Sequence, residues 1–272
     1  MVILHYSHKE DTLECIESVK RSDFKDFEII LVDNASGDDL SDIKDVTFVK
    51  SEVNTGYSGG NNIGIKKALS LDPELILILN PDTTIEKNTI STLIAGMERY
   101  GAGVVCPKIY FDGTKKIWYA GKDFDRLNVL GLHRGMDQED KGQFDEDKET
   151  EANGAAMLVK REVFEKVGLF DDRYFLYLED SDFSLRVRAA GYKIMYIHKA
   201  MVFHKNARST GLGSPLQDYY ITRNRMLFAS KFLPFRTRFA LFREVIKNIG
   251  MPMRRLALWD FLTGKFGKGS YA

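Results

Sequence analysis

Apolar and polar positions follow two different periods along the first two thirds of the chain. Short unbroken apolar runs at 2–4, 28–32, 47–49, 74–79 and 103–106 predict strands covered on both faces, because a strand with one wet face would alternate. Between them apolar residues return every three to four positions. Leu13, Ile16 and Val19 form one face of a helix over 11–22, and further helices are predicted over 61–70 and 85–100, with a weak helical turn at 40–44. Strands alternating with helices predict an α/β domain: a mostly parallel sheet, helices on both faces, right-handed crossovers.

The middle is less regular. Residues 118–134 carry glycines and aromatics, and 137–151 are dense in carboxylates with almost nothing apolar. The latter stretch is predicted as a mobile surface loop, since a folded element there would bury nothing. Order resumes with a strand at 154–159, helices at 161–167 and 181–190, the latter stopped by Gly191, and a closing strand at 193–197. Beyond Thr210 the pattern turns helical, over 219–232, 236–249 and 253–263, which predicts a domain over 1–210 and a helical extension over 211–272.

Composition narrows the class. The 272 residues are 44% hydrophobic and 29% charged, which excludes a disordered, collagenous or disulfide-stapled chain. Cys15 and Cys106 lack a CxxC partner, excluding a zinc ribbon or redox dithiol, and are expected to be reduced and buried. The net charge of zero hides an asymmetry. From Pro215 onward eleven basic residues face three acidic ones, and the preceding 214 residues carry the opposite excess of eight. The extension also interleaves Tyr220, Phe228, Phe232, Phe235, Phe239, Phe242, Trp259 and Phe261 with its basic residues. Basic amphipathic helices with aromatics suit an anionic membrane surface; the alternative is packing against the α/β domain or a second subunit in a homodimer. Nucleic acid is not expected, because no recognition motif accompanies the charge. No apolar run approaches the ~20 residues of a membrane span and no signal peptide is evident, so a cytoplasmic protein is expected, peripheral on the inner face of the cell membrane if the tail binds lipid.

Polar clusters follow several of the predicted strands, at the edge where α/β sheets bind ligands. In the first, at 32–38, Asp33 can accept a ring N–H of uracil, thymine or guanine, or can build an Asx turn together with Asn34 and Asp38. The second, 54–64, places Gly56, Gly59, Gly60 and Gly64 among Asn54, Asn61 and Asn62. Such a loop lets backbone N–H groups approach a phosphate or sugar, or it is a plain connection. It matches neither the P-loop nor the dinucleotide fingerprint. The third is Asn80-Pro81-Asp82: a carboxylate there can hold Mg²⁺ or Mn²⁺ on a diphosphate, while Asp82 or Thr84 could equally cap the next helix. In the fourth, Glu179, Asp180 and Asp182 crowd the start of a helix, where one cap would suffice, leaving a carboxylate available as a general base. Arg186 is expected to pair with one of these acids. His204, followed by the basic and hydroxyl residues of 205–210, is a structural histidine or a further metal or diphosphate ligand.

In this order the clusters resemble the inverting glycosyltransferases of family 2, with the Rossmann-like GT-A fold, and within it the rhamnosyltransferase-like members. The resemblance covers about residues 1–210 and rests on Val-Asp-Asn-Ala-Ser at 32–36, Asn-Thr-Gly-Tyr-Ser-Gly-Gly-Asn-Asn at 54–62, Asn80-Pro81-Asp82, Asn153-Gly154-Ala155, Glu179-Asp180, Asp-Phe-Ser-Leu-Arg at 182–186, and His204. It implies a nucleoside-diphosphate sugar donor, dTDP- or UDP-linked, bound by Tyr6, Asp33, Asn34, Ser36, Asn54, Gly60, Asn61, Asn80 and Asp82. It further implies Mn²⁺ or Mg²⁺ on Asp82 and His204. Asp180 would be the base with Glu179 beside it, and a glycan or lipid-linked acceptor would lie near Trp118, Asn153, Gly154 and Asp182. Two departures stand out: Asn80 replaces the first acid of the usual Asp-x-Asp, and His5-Tyr6-Ser7 stands where Thr-Tyr-Asn is commoner. Two other functions compete: a silent nucleotide-sugar-binding scaffold, which would not require Glu179-Asp180, and a nucleotidyltransferase, whose glycine-rich lysine loop is missing.

Overall fold

The computed structural model describes residues 1–125, 128–205 and 213–271. Its α/β part begins β1 (Val2–His5), α1 (Lys9–Lys20), β2 (Ile30–Asp33), β3 (Thr47–Lys50), α2 (Gly56–Leu69), β4 (Leu75–Leu79), β5 (Thr83–Ile85), α3 (Thr89–Tyr100) and β6 (Val104–Phe111). It continues through β7 (Ile117–Tyr119), β8 (Lys122–Asp125), β9 (Leu130–His133), β10 (Lys148–Glu149), β11 (Ala156–Lys160), α4 (Arg161–Val167), α5 (Glu179–Ala189) and β12 (Ile194–His204). The extension is α6 (Pro215–Phe232), α7 (Phe235–Lys247) and α8 (Pro252–Thr263).

The main sheet has the order β10-β12-β6-β11-β4-β1-β2-β3, with β5 on β12 and β7 on β6. Strands β3, β2, β1, β4, β6 and β12 run one way; β11, inserted between β4 and β6, runs against them, as do the short β5, β7 and β10. The apolar runs of β1, β2 and β4 are buried almost throughout, as double coverage requires. The edge strand β3 instead alternates half-buried and exposed residues.

Local differences from the sequence reading have physical causes. The glycine-rich segment is helix rather than loop from Gly56 onward, since its glycines bring α2 onto the sheet: a Cβ at Gly60 would enter Leu4, and one at Gly64 would enter Val2 and Val32. Neither Asp82 nor Thr84 caps a helix, because residues 83–85 pair with β12 first and α3 starts only at Thr89, after Asn88. Residues 40–44 form a turn, closed by Ile43 N–H to Leu40 O, and not a helix. Leu13 is only half-buried; the inner face of α1 is Asp11, Thr12, Cys15, Ile16, Ser18 and Val19. Both cysteines are buried and free. The acidic stretch 137–151 does bury something: Asp140 and Asp145 hold the ammonium of buried Lys108 at 2.9 and 2.5 Å, and Asp147 holds His198 at 2.6 Å. Its carboxylates are the partners of Lys108 on β6 and His198 on β12, a role that hydrophobicity cannot reveal.

The extension packs on the α/β part. Arg223 and Asn224 of α6 are fully buried. Arg223 donates to Arg173 O, Tyr174 O and Gly267 O, and Asn224 Nδ2 lies within 2.9 Å of the carbonyls of Tyr174, Leu176 and Tyr177. Of the aromatics interleaved with the basic residues, Tyr220 and Phe228 are core, Phe232, Phe242 and Phe261 are half-buried, and Phe235, Phe239 and Trp259 remain outside. Among the described residues no helix is long and apolar enough to cross a membrane.

Candidate active site

The sheet brings the polar clusters to one edge. Parallel β2 and β4 flank β1, so Asp33, opposite His5, and the 80–82 turn after Leu79 emerge at the same edge on either side of β1. Antiparallel β11 starts with Ala156 opposite Leu79, which delivers residues 153–155 to the same edge, and Asn80 N–H donates to Ala155 O at 2.9 Å. His204 ends β12 opposite Thr83.

On the β1–β2 side, Asp33 is buried and its Oδ1 accepts Ser36 N–H at 2.9 Å, three residues on, closing the loop after β2. Ser36 Oγ in turn accepts Asp38 N–H. Asn34 is used internally: its Nδ2 donates to Asn54 Oδ1 and Gly56 O, and its Oδ1 accepts from the Thr55 backbone and hydroxyl. This holds the chain where Gly56, at φ 73°, turns into α2 against Phe175. Asn61 donates to Tyr57 O, and its buried Oδ1 has no partner among the described residues. Gly60 faces Leu4 and Asn34, and Tyr6 is largely exposed.

Asp82 Oδ1 and His204 Nε2 lie 3.1 Å apart. Burial works to raise the Asp82 carboxyl, but the hydrogen bond and charge of His204 outweigh it and hold Asp82 below its ordinary range. Two ligands at right angles on one cation at ~2.1 Å would be separated by about this distance, so the spacing of the pair suits a divalent ion. No cluster of three or more metal-ligating side chains exists among the described residues. The basic and hydroxyl stretch expected after Lys205, residues 206–210, lies outside the described residues.

Trp118 packs edge-on between His204 and His133, with ring centroids 4.6 and 4.5 Å away. His133 is kept neutral by burial and by the nearby Lys122 ammonium, with its pKa lowered to about 4. As a neutral ring it donates Nδ1–H to Trp118 O and accepts at Nε2 from Asn153 Nδ2, both 3.1 Å, a tautomer assigned from these partners. Asn153 Oδ1 then accepts Ala155 N–H. The contacts run unbroken from Asp82 to Asn153.

Gly154 carries the chain onward. Its N–H approaches Asp180 Oδ2 at 3.4 Å, and its carbonyl accepts Tyr57 OH at 2.5 Å. Asp180 Oδ2 receives the ammonium of buried Lys122 at 2.8 Å, and Oδ1 accepts Ser181 N–H at 2.7 Å. Burial opposes ionisation of Asp180, but the Lys122 charge and hydrogen bond prevail and keep the carboxyl below its ordinary value. Glu179 moves the other way. It is buried, with Oε2 lacking a partner among the described residues, and burial together with the Asp180 charge pushes it up to about 8. Between its ordinary value of 4.5 and about 8, Glu179 therefore holds a proton when folded that it would lose when unfolded. Stability should fall as pH rises through that window. Glu179→Gln, which cannot ionise, should raise the melting temperature over wild type at about pH 8 and much less at about pH 5; equal gains at both would contradict the assignment.

Helix α5 starts at Glu179, two residues before the sequence pattern suggests, straight out of a strained segment. Phe175, Tyr177 and Leu178 all have positive φ, at 64, 72 and 70°. The Tyr174, Leu176 and Tyr177 carbonyls in that segment are the ones Asn224 holds.

One expected contact is corrected. Asp182 cannot meet an acceptor: it is fully buried, paired with Arg186 at 2.6 Å and with Lys231 of α6, and it accepts Tyr174 OH. Arg186 is thereby engaged with an acid, as expected.

Sequence reasoning missed Lys122, His133, Tyr57 and Glu151. Lys122 and His133 sit across from each other on β8 and β9, inside the glycine- and aromatic-bearing stretch. Glu151 lies buried 3.9 Å from Lys122. A lysine beside Gly121 in an aromatic-rich stretch was the available signal, and it is a faint one.

Comparison with known proteins bears on this edge. The sequence model described as "Glycosyl transferase family 2" matches residues 1–168, stopping short of α5. A Haloferax volcanii protein named a low-salt glycan biosynthesis hexosyltransferase is 27% identical over 236 residues, covering 84% of this chain and 74% of its own. A Mycobacterium tuberculosis protein named N-acetylglucosaminyl-diphospho-decaprenol L-rhamnosyltransferase is 26% identical over 209 residues, covering 67% and 68%. Among solved structures, GalNAc-T7 with UDP, GalNAc and Mn²⁺ superposes with TM-score 0.64 at 17% identity over 83% of this chain, which spans half of that longer chain. That likeness shows a shared fold.

Proposed function

Since the chain belongs to glycosyl transferase family 2, whose sequence model spans more than half of it, we propose that it moves a hexosyl residue, with rhamnose the favoured deoxyhexose, from a dTDP- or UDP-linked donor to a hydroxyl of a glycan or lipid-linked acceptor, inverting the anomeric centre. The observation that carries the reading is the unbroken run of contacts linking the Asp82–His204 pair to Asp180 through Trp118, His133, Asn153 and Gly154. That run supports reading Asp180 and the Asp82–His204 pair as parts of one site.

In this reading Asp33 and Tyr6 bound the nucleotide end, and Asn80 and Asp82 face the diphosphate. Mn²⁺ or Mg²⁺ on Asp82 and His204 would supply Lewis-acid neutralisation of the leaving diphosphate. Asp180 accepts the acceptor's hydroxyl proton as its oxygen attacks the anomeric carbon, and single displacement inverts that centre. Lys122 and Gly154 N–H keep the carboxylate ionised and aimed. Trp118 and Asn153 offer an apolar face and an anchored amide on the acceptor side.

A thermal-shift panel of UDP-, dTDP- and GDP-sugars with Mn²⁺ or Mg²⁺ tests the donor class; stabilisation by none of them rejects the reading. Asp82→Ala should remove the metal-dependent part of nucleotide binding. Calorimetry giving the wild-type difference with and without Mn²⁺ would reject Asp82 as a ligand.

A further inference from the structure

The three acids of the extension are engaged internally: Asp218 with Arg254, Glu244 with Arg225, and Asp260 with Tyr219 and Ser270. The outer surface of α7 is left with cations and apolar side chains. Phe235, Phe239 and Ile246 stand at i, i+4 and i+11, in one stripe of the helix, and are 76, 52 and 42% exposed. The rings of Phe235 and Phe239 stack at 6.1 Å. Arg236, Arg243 and Lys247, at i+1, i+8 and i+12 from Phe235, form a parallel exposed stripe about a quarter turn away. Among the described residues none of these three has a carboxylate within ion-pair distance, and the Arg243 guanidinium lies 6.0 Å from the Phe239 ring. Leu241 and Val245 fix the opposite side of α7 in the core, so the aromatic stripe cannot turn inward.

An apolar stripe flanked by unpaired cations matches a surface that is apolar inside and anionic at its rim. We propose that α7 is an interfacial helix that seats this protein on an anionic lipid bilayer, with Phe235, Phe239 and Ile246 at the acyl boundary and Arg236, Arg243 and Lys247 among the headgroups. On α8, Trp259 and Leu262 are exposed beside Arg255 and give a second patch of the same make-up. The proposal does not depend on the transferase reading, and its test uses no donor or acceptor.

The test is flotation of the full chain with vesicles of phosphatidylcholine alone or mixed with phosphatidylglycerol. Binding to the mixed vesicles, weakened by salt, is expected. The triple variant Arg236→Ser, Arg243→Ser, Lys247→Ser should lose affinity on the order of 100-fold. Phe235→Ser with Phe239→Ser should also release the protein while leaving its thermal unfolding unchanged, since both side chains are exposed. Absence of flotation at low salt, equal binding to both vesicle types, or wild-type affinity in the triple variant would overturn the proposal. So would a concentration-dependent dimer in sedimentation that the phenylalanine variant dissolves while lipid binding is absent.

Discussion

Asp180→Asn is expected to lower sugar transfer by about 10²- to 10⁴-fold while nucleotide binding, measured by calorimetry, stays unchanged. The amide keeps the shape of the carboxylate but cannot take a proton, so the loss should fall on kcat. The local fold should survive, because Ser181 N–H can still donate to the side-chain oxygen. Lys122 loses its close partner, but Glu151 remains 3.9 Å away as a second carboxylate. Transfer persisting near the wild-type rate would show that another group takes the proton, and a parallel loss of nucleotide affinity would place Asp180 on the donor side.

Asp182→Ala should act on stability instead, at a cost of about 3–5 kcal/mol in denaturant unfolding, because it strips the charge partner from Lys231 and Arg186 in the interior. Some of that loss is offset: Lys231 also holds Asp171 at 2.7 Å, and Arg186 also donates to Val167 O and Leu169 O. The acceptor KM of the folded variant should be unaltered. Unchanged stability with a raised acceptor KM would restore the contact that the family resemblance implies for this residue.

The difference between Asp180 and Asp182 shows how far the sequence could be read. Both belong to one acidic run at a helix start, and periodicity places them two residues apart on different sides of the helix. It does not say which side is sealed in the interior. That choice is made by Lys122, from β8, and by Lys231, from α6, and neither is near α5 in sequence. Strand positions and the order of the clusters were legible because a short unbroken apolar run between amphipathic helices is best accommodated as a strand covered on both faces. The glycine-rich segment read as a loop because glycine disfavours helix, yet tight packing against Val2, Leu4 and Val32 overrides that preference. His133 and Lys122 stayed hidden because a two-stranded ribbon of mixed polarity carries little periodic signal.

The Arg223–Asn224 contacts bear on ancestry and engineering. Leu178, one residue before the acidic run, follows a loop whose carbonyls are held from α6, far outside the stretch the family model matches. The last sixty residues are therefore not a detachable module. A chimera that grafts a foreign tail onto residues 1–210 must also reproduce a buried guanidinium and a buried amide at matching heights, or the segment leading into α5 will lose the groups that hold its carbonyls.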